Sequence, residues 1–192
     1  MTATTINLQR FVSTSHEFYE LCQENPSLEM ERTANGEVII MSPAGSETGR
    51  RNSDINGQLW LWNRETQLGY TFDSSTGFNL LNGADRAPDA AWVATEHWDR
   101  ISTEEKIRFA PIAPDFVIEL RSSSDSIKSL REKMQEYVKN GVRMGWLIDA
   151  QNRTVEIYEP GEDVEIVSNP DYVAGDPLLP GFKLDMQSIW GD

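Results

Sequence analysis

From Asp115 to Asp149 the chain reads as an apolar strand, a helix and a second apolar strand, and no other stretch limits its fold as strongly. In Asp115-Phe116-Val117-Ile118-Glu119-Leu120-Arg121, alternation puts Phe116, Ile118 and Leu120 on one face and Asp115, Val117, Glu119 and Arg121 on the other. Ser122-Ser123-Ser124-Asp125 follows, with Ser124 and Asp125 as helix-capping residues. Ile127, Leu130, Met134, Tyr137 and Val138 then recur at helical spacing as one apolar stripe, and Gly141 ends the helix. Strands near Met144–Asp149 and Thr154–Tyr158 come next. A helix that leaves one strand and returns to another is a crossover, so the sheet has helices packed on its faces.

The first half supplies the remaining layers. Thr14-x-x-Glu17 has the form of a capping box, and Phe18, Leu21 and Cys22 follow at helical spacing. Asn35-Gly36 separates Leu28–Arg32 from Glu37–Met41 and predicts a β-hairpin, because that dipeptide tolerates positive φ at both turn positions. Ile55, Leu59 and Trp62 predict a second helix from Ser46 to about Gln67. Short strands are expected at Tyr70–Asp73, Gly77–Leu81 and Asp89–Ala94. With 192 residues and no long linker, the chain is read as a single α/β domain. Its parts are a helix and hairpin over residues 14–41, a mixed-sheet core over about 46–159, and a turn-rich tail over 160–192 that covers the core.

Composition excludes several function classes. Hydrophobic residues make up 39% and charged residues 25%, which rules out intrinsic disorder. No run approaches the ~20 apolar residues of a membrane span, and Met1–Asn7 lacks the basic start and apolar stretch of a secretory signal, so a soluble, cytoplasmic protein is expected. One cysteine, Cys22, and two histidines, His16 and His97, cannot build a zinc site, so any metal here is held by oxygen. The formal charge of −14 repels a phosphate backbone at long range, and nucleic acid would have to meet a local basic patch.

Glu119 and Arg121, two residues apart on an apolar strand, are costly to bury unless each has a partner or a metal. Pro88-Asp89 opens another strand upstream. Taken together, Pro88-Asp89, Pro114 to Ser122, Arg131-Glu132-Lys133-Met134-x-x-Tyr137, Asn140-Gly141 and Gly145 to Asp149 resemble the Uma-two family of restriction-endonuclease-like proteins, within the PD-(D/E)XK nuclease superfamily. Gly36 to Pro43 and Leu179-Pro180-Gly181-Phe182 look like further landmarks of that family, so the resemblance spans about Gly36 to Phe182.

The resemblance implies a restriction-endonuclease-like mixed β-sheet core flanked by helices. It also implies a divalent-metal-dependent endonuclease that hydrolyses DNA phosphodiester bonds. Asp89 and Glu119 would ligate Mg²⁺ or Mn²⁺, with the Leu120 carbonyl as a further oxygen. Asp115 also follows a proline, but it lies roughly 13 Å along the strand from Glu119 and cannot share its ion. Glu47 opens the second helix, where it serves either as a third metal ligand or as a helix-terminal acid.

Arg121 stands where the superfamily motif has lysine; it can stabilise a pentacovalent phosphate but cannot act as a base. Lys133 lies about −60° from Leu130 on the helical wheel, at the edge of the apolar stripe, where it either covers apolar surface with its stem as a boundary lysine or snorkels to the site. DNA would approach the crossover helix through Lys128, Arg131 and Lys139, and cutting both strands would call for a homodimer. The alternative is a catalytically inactive nuclease fold that acts as a nucleic-acid-binding or protein-interaction module. His97, the tryptophans and Cys22 are read as packing residues.

Overall fold

A computed structural model describes residues 4–191. The chain begins with β1 (Thr4–Asn7), α1 (Ser15–Glu24), β2 (Glu29–Arg32), β3 (Glu37–Met41) and α2 (Ser46–Thr66). It continues through β4 (Gly69–Asp73), β5 (Phe78–Asn79), β6 (Asp85–Arg86), β7 (Ala90–Ala94), α3 (Thr95–Trp98) and α4 (Thr103–Lys106). The crossover unit is β8 (Phe116–Leu120), α5 (Ile127–Lys139) and β9 (Met144–Asp149). It is followed by β10 (Thr154–Tyr158), β11 (Glu165–Ser168), β12 (Tyr172–Ala174), β13 (Lys183–Asp185) and α6 (Gln187–Trp190).

The central layer is a six-stranded mixed sheet in the order β11-β10-β9-β8-β7-β4. Only β8 and β9 run parallel, as a helical crossover requires, and their neighbours are antiparallel. Alternation along β8 divides the core. Phe116, Ile118 and Leu120 join Ile55, Leu59 and Trp62 of α2 on one face, while Val117 joins Met134 and Tyr137 of α5 on the other. The fold is therefore a mixed α/β sheet with a helix on each face.

The tail is part of the α2-side core. Leu179, Phe182, Leu184, Met186, Ile189 and Trp190 all belong to it. Phe182 stacks on Trp146 of β9 at 5.9 Å between ring centroids, and Phe116 meets the same Trp146 edge-on at 4.8 Å.

Several local expectations differ from what forms. The hairpin does not enter the mixed sheet; it heads a separate antiparallel sheet ordered β1-β3-β2-β6-β5. Its turn closes over Ala34-Asn35-Gly36, with Thr33 N–H bonded to the Glu37 carbonyl, and positive φ falls on Gly36 but not on Asn35. A three-residue loop ending in a left-handed glycine meets the same strand-twist demand as the two-residue turn. The strand expected over Gly77–Leu81 shortens to Phe78–Asn79. Neither Ser124 nor Asp125 caps α5: Ser126 does, through Ser129 N–H, while Asp125 accepts from Ser122 N–H. Among the described residues no helix is long and apolar enough to cross a membrane.

Because Phe182 fills the aromatic centre of the α2-side core, Phe182→Ala is expected to destabilise the protein by about 3–5 kcal/mol. Urea denaturation followed by tryptophan fluorescence measures this, and a loss under about 1 kcal/mol would show that the tail does not carry the core.

Candidate active site

Strand register builds the centre of the site. The antiparallel ladder between β7 and β8 pairs Ala90 with Ile118, so the next step sets Asp89 opposite Glu119. Directly opposed residues share a sheet face and lie about 5 Å apart at Cβ. Asp89 Oδ2 accepts the Leu120 N–H at 2.7 Å, which anchors the carboxylate at the mouth of the strand pair. Asn56 of α2 donates to the Asp89 carbonyl at 2.9 Å and fixes the backbone there.

The face that carries Glu119 is covered by α5, and the i, i+4 relation of Lys133 and Tyr137 brings both side chains over it. Lys133 Nζ lies 2.8 Å from Glu119 Oε1, and the Tyr137 hydroxyl donates to the same oxygen at 2.9 Å. Lys133 Nζ also lies 2.8 Å from Oε1 of Glu31, on β2 of the other sheet. Glu31 in turn accepts Ala87 N–H and pairs with Arg86, each at 3.0 Å, and Arg86 is gripped by Glu136 of α5 at 2.6 Å. Charges thus alternate in sign along Glu119, Lys133, Glu31, Arg86 and Glu136.

These residues, with Asp89, line one cavity of about 620 Å³ between the two sheets and α5. Its remaining wall is rich in carboxylates, including Glu29, Glu37, Asp125 and Glu132. A neighbouring hollow of about 430 Å³ shares Glu29, Ser74, Asp89 and Leu120 with it and is lined by Asn52, Ser53 and Asn56 of α2.

The electrostatics follow from burial. Burial pushes the Asp89 carboxyl up to about 6, against the Leu120 N–H and Lys133, which favour its charged form, and with help from Asp125 and Glu31. Burial also pushes Glu119 up to about 7; Lys133 opposes this and Asp89 and Glu31 add to it. Burial works against the Lys133 charge, but Glu119 and Glu31 outweigh it and hold the ammonium above the ordinary lysine range. Burial, reinforced by Glu119, keeps the Tyr137 phenol protonated and therefore a donor.

A divalent cation fits this donor set. Asp89 Oδ1 and Glu119 Oε2 have no hydrogen-bond partner among the described residues, and both carboxyls are held above their ordinary values in part by like charge. Two hard oxygens on adjacent strands suit an ion that keeps several waters, as Mg²⁺ does. Among the described residues no group of three or more His, Cys, Asp or Glu forms an all-protein cage.

The other sequence-derived candidates lie elsewhere. Arg121 falls one residue past β8, and its guanidinium pairs with Asp149 at 2.6 Å; it makes no hydrogen bond or ion pair with Asp89 or Glu119. The alternation that puts Arg121 beside Glu119 fails because the strand ends at Leu120 and the parallel register brings Arg121 to the end of β9. Glu47 is outside the cavity, at the start of α2, where Arg50 and Arg51 hold it at 2.8 and 3.3 Å. Asp115, at the far end of β8, accepts Ala94 N–H and faces His97 and Arg143. On the outer face of α5 Arg131 is locked to Glu156 at 2.6 Å, and Lys128 sits 3.8 Å from Glu132, so two of the three expected DNA-facing cations are matched by carboxylates. Glu31, Arg86 and Glu136 were not singled out from sequence, and Tyr137 stood there only in the apolar stripe and the family-like motif. The only signal was Tyr137 four residues after Lys133, and Glu31 had none, because its partner is about a hundred positions away.

A sequence model of the Uma2 (Uma-two) family, described as "Putative restriction endonuclease", matches residues 15–187. The fold is similar to a solved structure from Anabaena variabilis, titled a "putative nuclease belonging to DUF820". That similarity has a TM-score of 0.75 at 23% identity and covers 92% of this chain and 97% of the other. No curated protein matches the sequence.

Burial sets a sign for the site's pH response. Asp89 rises from 3.8 to about 6 on folding, so its stabilising contribution is whole below about pH 4 and is lost as pH rises through 6. Asp89→Asn is therefore expected to stabilise the metal-free protein by about 1–3 kcal/mol at pH 8, and by less at pH 5. Urea titrations in chelator at the two pH values check this; a variant less stable than wild type at pH 8 would contradict it.

Proposed function

The chain belongs to the Uma2 family, and from that premise we propose that it is a divalent-metal-dependent endonuclease acting on DNA phosphodiester bonds. One observation carries the reading: Asp89 and Glu119 face each other across two strands with the Lys133 ammonium 2.8 Å from Glu119, all in one cavity. Asp89 and Glu119 would hold Mg²⁺ or Mn²⁺, which supplies an activated water and neutralises charge on the scissile phosphate.

The residues of the chain divide the remaining work. Lys133, kept protonated by two carboxylates, offers a fixed positive charge to the phosphoryl oxygens as negative charge builds on them. Tyr137 orients Glu119 by donating to Oε1, which leaves Oε2 for the ion. Arg121 is a structural residue that ties the end of β8 to β9 through Asp149. The lysine that the superfamily motif places two residues after the glutamate is thus supplied by α5. Lys139 and the uncharged groups of α2 beside Asp89 would guide the strand, while Arg131 is paired with Glu156 and Lys128 lies on the exposed surface beside Glu132. A fold that binds nucleic acid without cutting it is the second reading, favoured by the net charge of −14 and by the cavity's carboxylate-rich wall.

Incubation of purified protein with single-stranded and duplex DNA in Mg²⁺ or Mn²⁺ is expected to give cleavage that chelator stops. Asp89→Ala and Glu119→Ala should abolish it, and Lys133→Ala should slow it about 10²–10³-fold. Arg121→Ala should lower stability and leave turnover of the folded protein nearly unchanged. Binding without cleavage in every metal would favour the second reading, and full turnover in Asp89→Ala would remove this cavity from the chemistry.

A further inference from the structure

We propose that Glu31, on a strand outside the mixed sheet, is the positioning residue for Lys133. It keeps the ammonium over the Asp89–Glu119 pair when Glu119 is engaged by a cation. The inference rests on the reading of this cavity as a phosphodiesterase site.

Lys133 Nζ is shared by Glu31 and Glu119, with both Oε1 atoms at 2.8 Å. The two partners are not equivalent. Glu119 is the carboxylate that would give its charge to a metal ion, and an ion there would also repel the ammonium. Lysine is a point charge on a flexible four-carbon stem, so with Glu119 as its only partner it would swing toward solvent just when the phosphate needs it. Glu31 stands outside the Asp89–Glu119 pair and keeps its charge.

Glu31 is also built not to move. It is 3% exposed, its Oε1 accepts Ala87 N–H, and its Oε2 takes Arg86 Nη1. Arg86 is itself fixed by two contacts to Glu136 on α5, at 2.7 and 2.6 Å. Because Glu136 already matches the Arg86 charge, neutralising Arg86 does not require Glu31 to reach Lys133 as well. The contact from Oε1 to Nζ joins the β2 sheet to α5 at the cation that meets Glu119. The separate antiparallel sheet thereby becomes a wall that holds a catalytic group in place.

The test compares wild type, Glu31→Gln and Glu31→Asp. The first keeps the shape and removes the charge; the second keeps the charge and draws it back from Nζ. Two readouts are taken on folded protein: cleavage kinetics, and acetylation of Lys133 by acetic anhydride followed by peptide mass spectrometry, with and without Mn²⁺. Glu31→Gln is expected to lower kcat about tenfold or more with KM for DNA little changed, and to speed Lys133 acetylation severalfold, most clearly with Mn²⁺ present. Glu31→Asp should fall between the two, and it decides the matter alone if Glu31→Gln does not fold. A purely structural Glu31 would lower the melting temperature while kcat and Lys133 acetylation matched wild type, and that result overturns the proposal. If wild type cuts no DNA, the phosphodiesterase reading fails by itself, and the acetylation comparison still decides whether Glu31 holds Lys133.

Discussion

A glutamate in a strand buried along its whole length has to be compensated, and much of this structure answers that demand. Glu119 sits in β8 between Ile118 and Leu120, 4% exposed. An unpaired carboxylate there would cost several kcal/mol or take up a proton. Lys133 and Tyr137 meet it from α5, but Lys133 is then a buried cation that needs more than one partner. Glu31 supplies the second, Arg86 balances Glu31, and Glu136 closes the series on α5 itself. The series crosses from the mixed sheet to the helix, to the second sheet and back. Each buried charge thus fixes where the next element packs.

That arrangement explains how the molecule is layered. The α2 side of the mixed sheet is continuously apolar, with Phe116, Trp146 and Phe182 at its centre and the tail folded into it. The α5 side is apolar through Val93, Val117, Leu147, Met134 and the Tyr137 ring, and becomes polar at the end of the strands where Asp89 and Glu119 meet. Under the proposed function, the α2 face serves structure and the polar end of the α5 face serves chemistry. Arg121 belongs to the first kind: its pairing with Asp149 secures a strand end and takes it away from the cavity.

The acidity of the chain can be reconciled with a polyanionic substrate at this level. Among the described residues, the two cations that face the cavity, Lys133 and Arg86, are held by carboxylates, and the wall beyond them is acidic. Such a cavity attracts a divalent ion before it attracts a phosphate. Under the proposed function the ion, more than any basic surface, brings the backbone to Asp89 and Glu119. This also fits the outer face of α5, where Arg131 is committed to Glu156.

The sequence by its local patterns indicated the mixed sheet with helices on its faces and pointed to two acidic residues as candidates. Period-two alternation in β8, the stripe on α5, the capping box before α1 and the apolar run of β9 are local signals, because each depends on neighbours a few residues apart. Asp89 and Glu119 stood out as candidates together: a charge inside an apolar strand called for a partner, and the resemblance to the Uma-two family tied the Pro88-Asp89 pair to it. The separate sheet was not legible: β1, β5 and β6 have two to four residues each and gain their pairing only from distant partners. Only the tertiary structure decided which cation joins the carboxylates. Arg121 is two residues from Glu119 in sequence, yet the end of β8 sends it to Asp149, while Lys133, fourteen positions on, returns over Glu119 because α5 packs across that face. Glu31, farther still, reaches Lys133 through a sheet whose position is set by long-range pairing and buried charge, neither of which is encoded in local spacing.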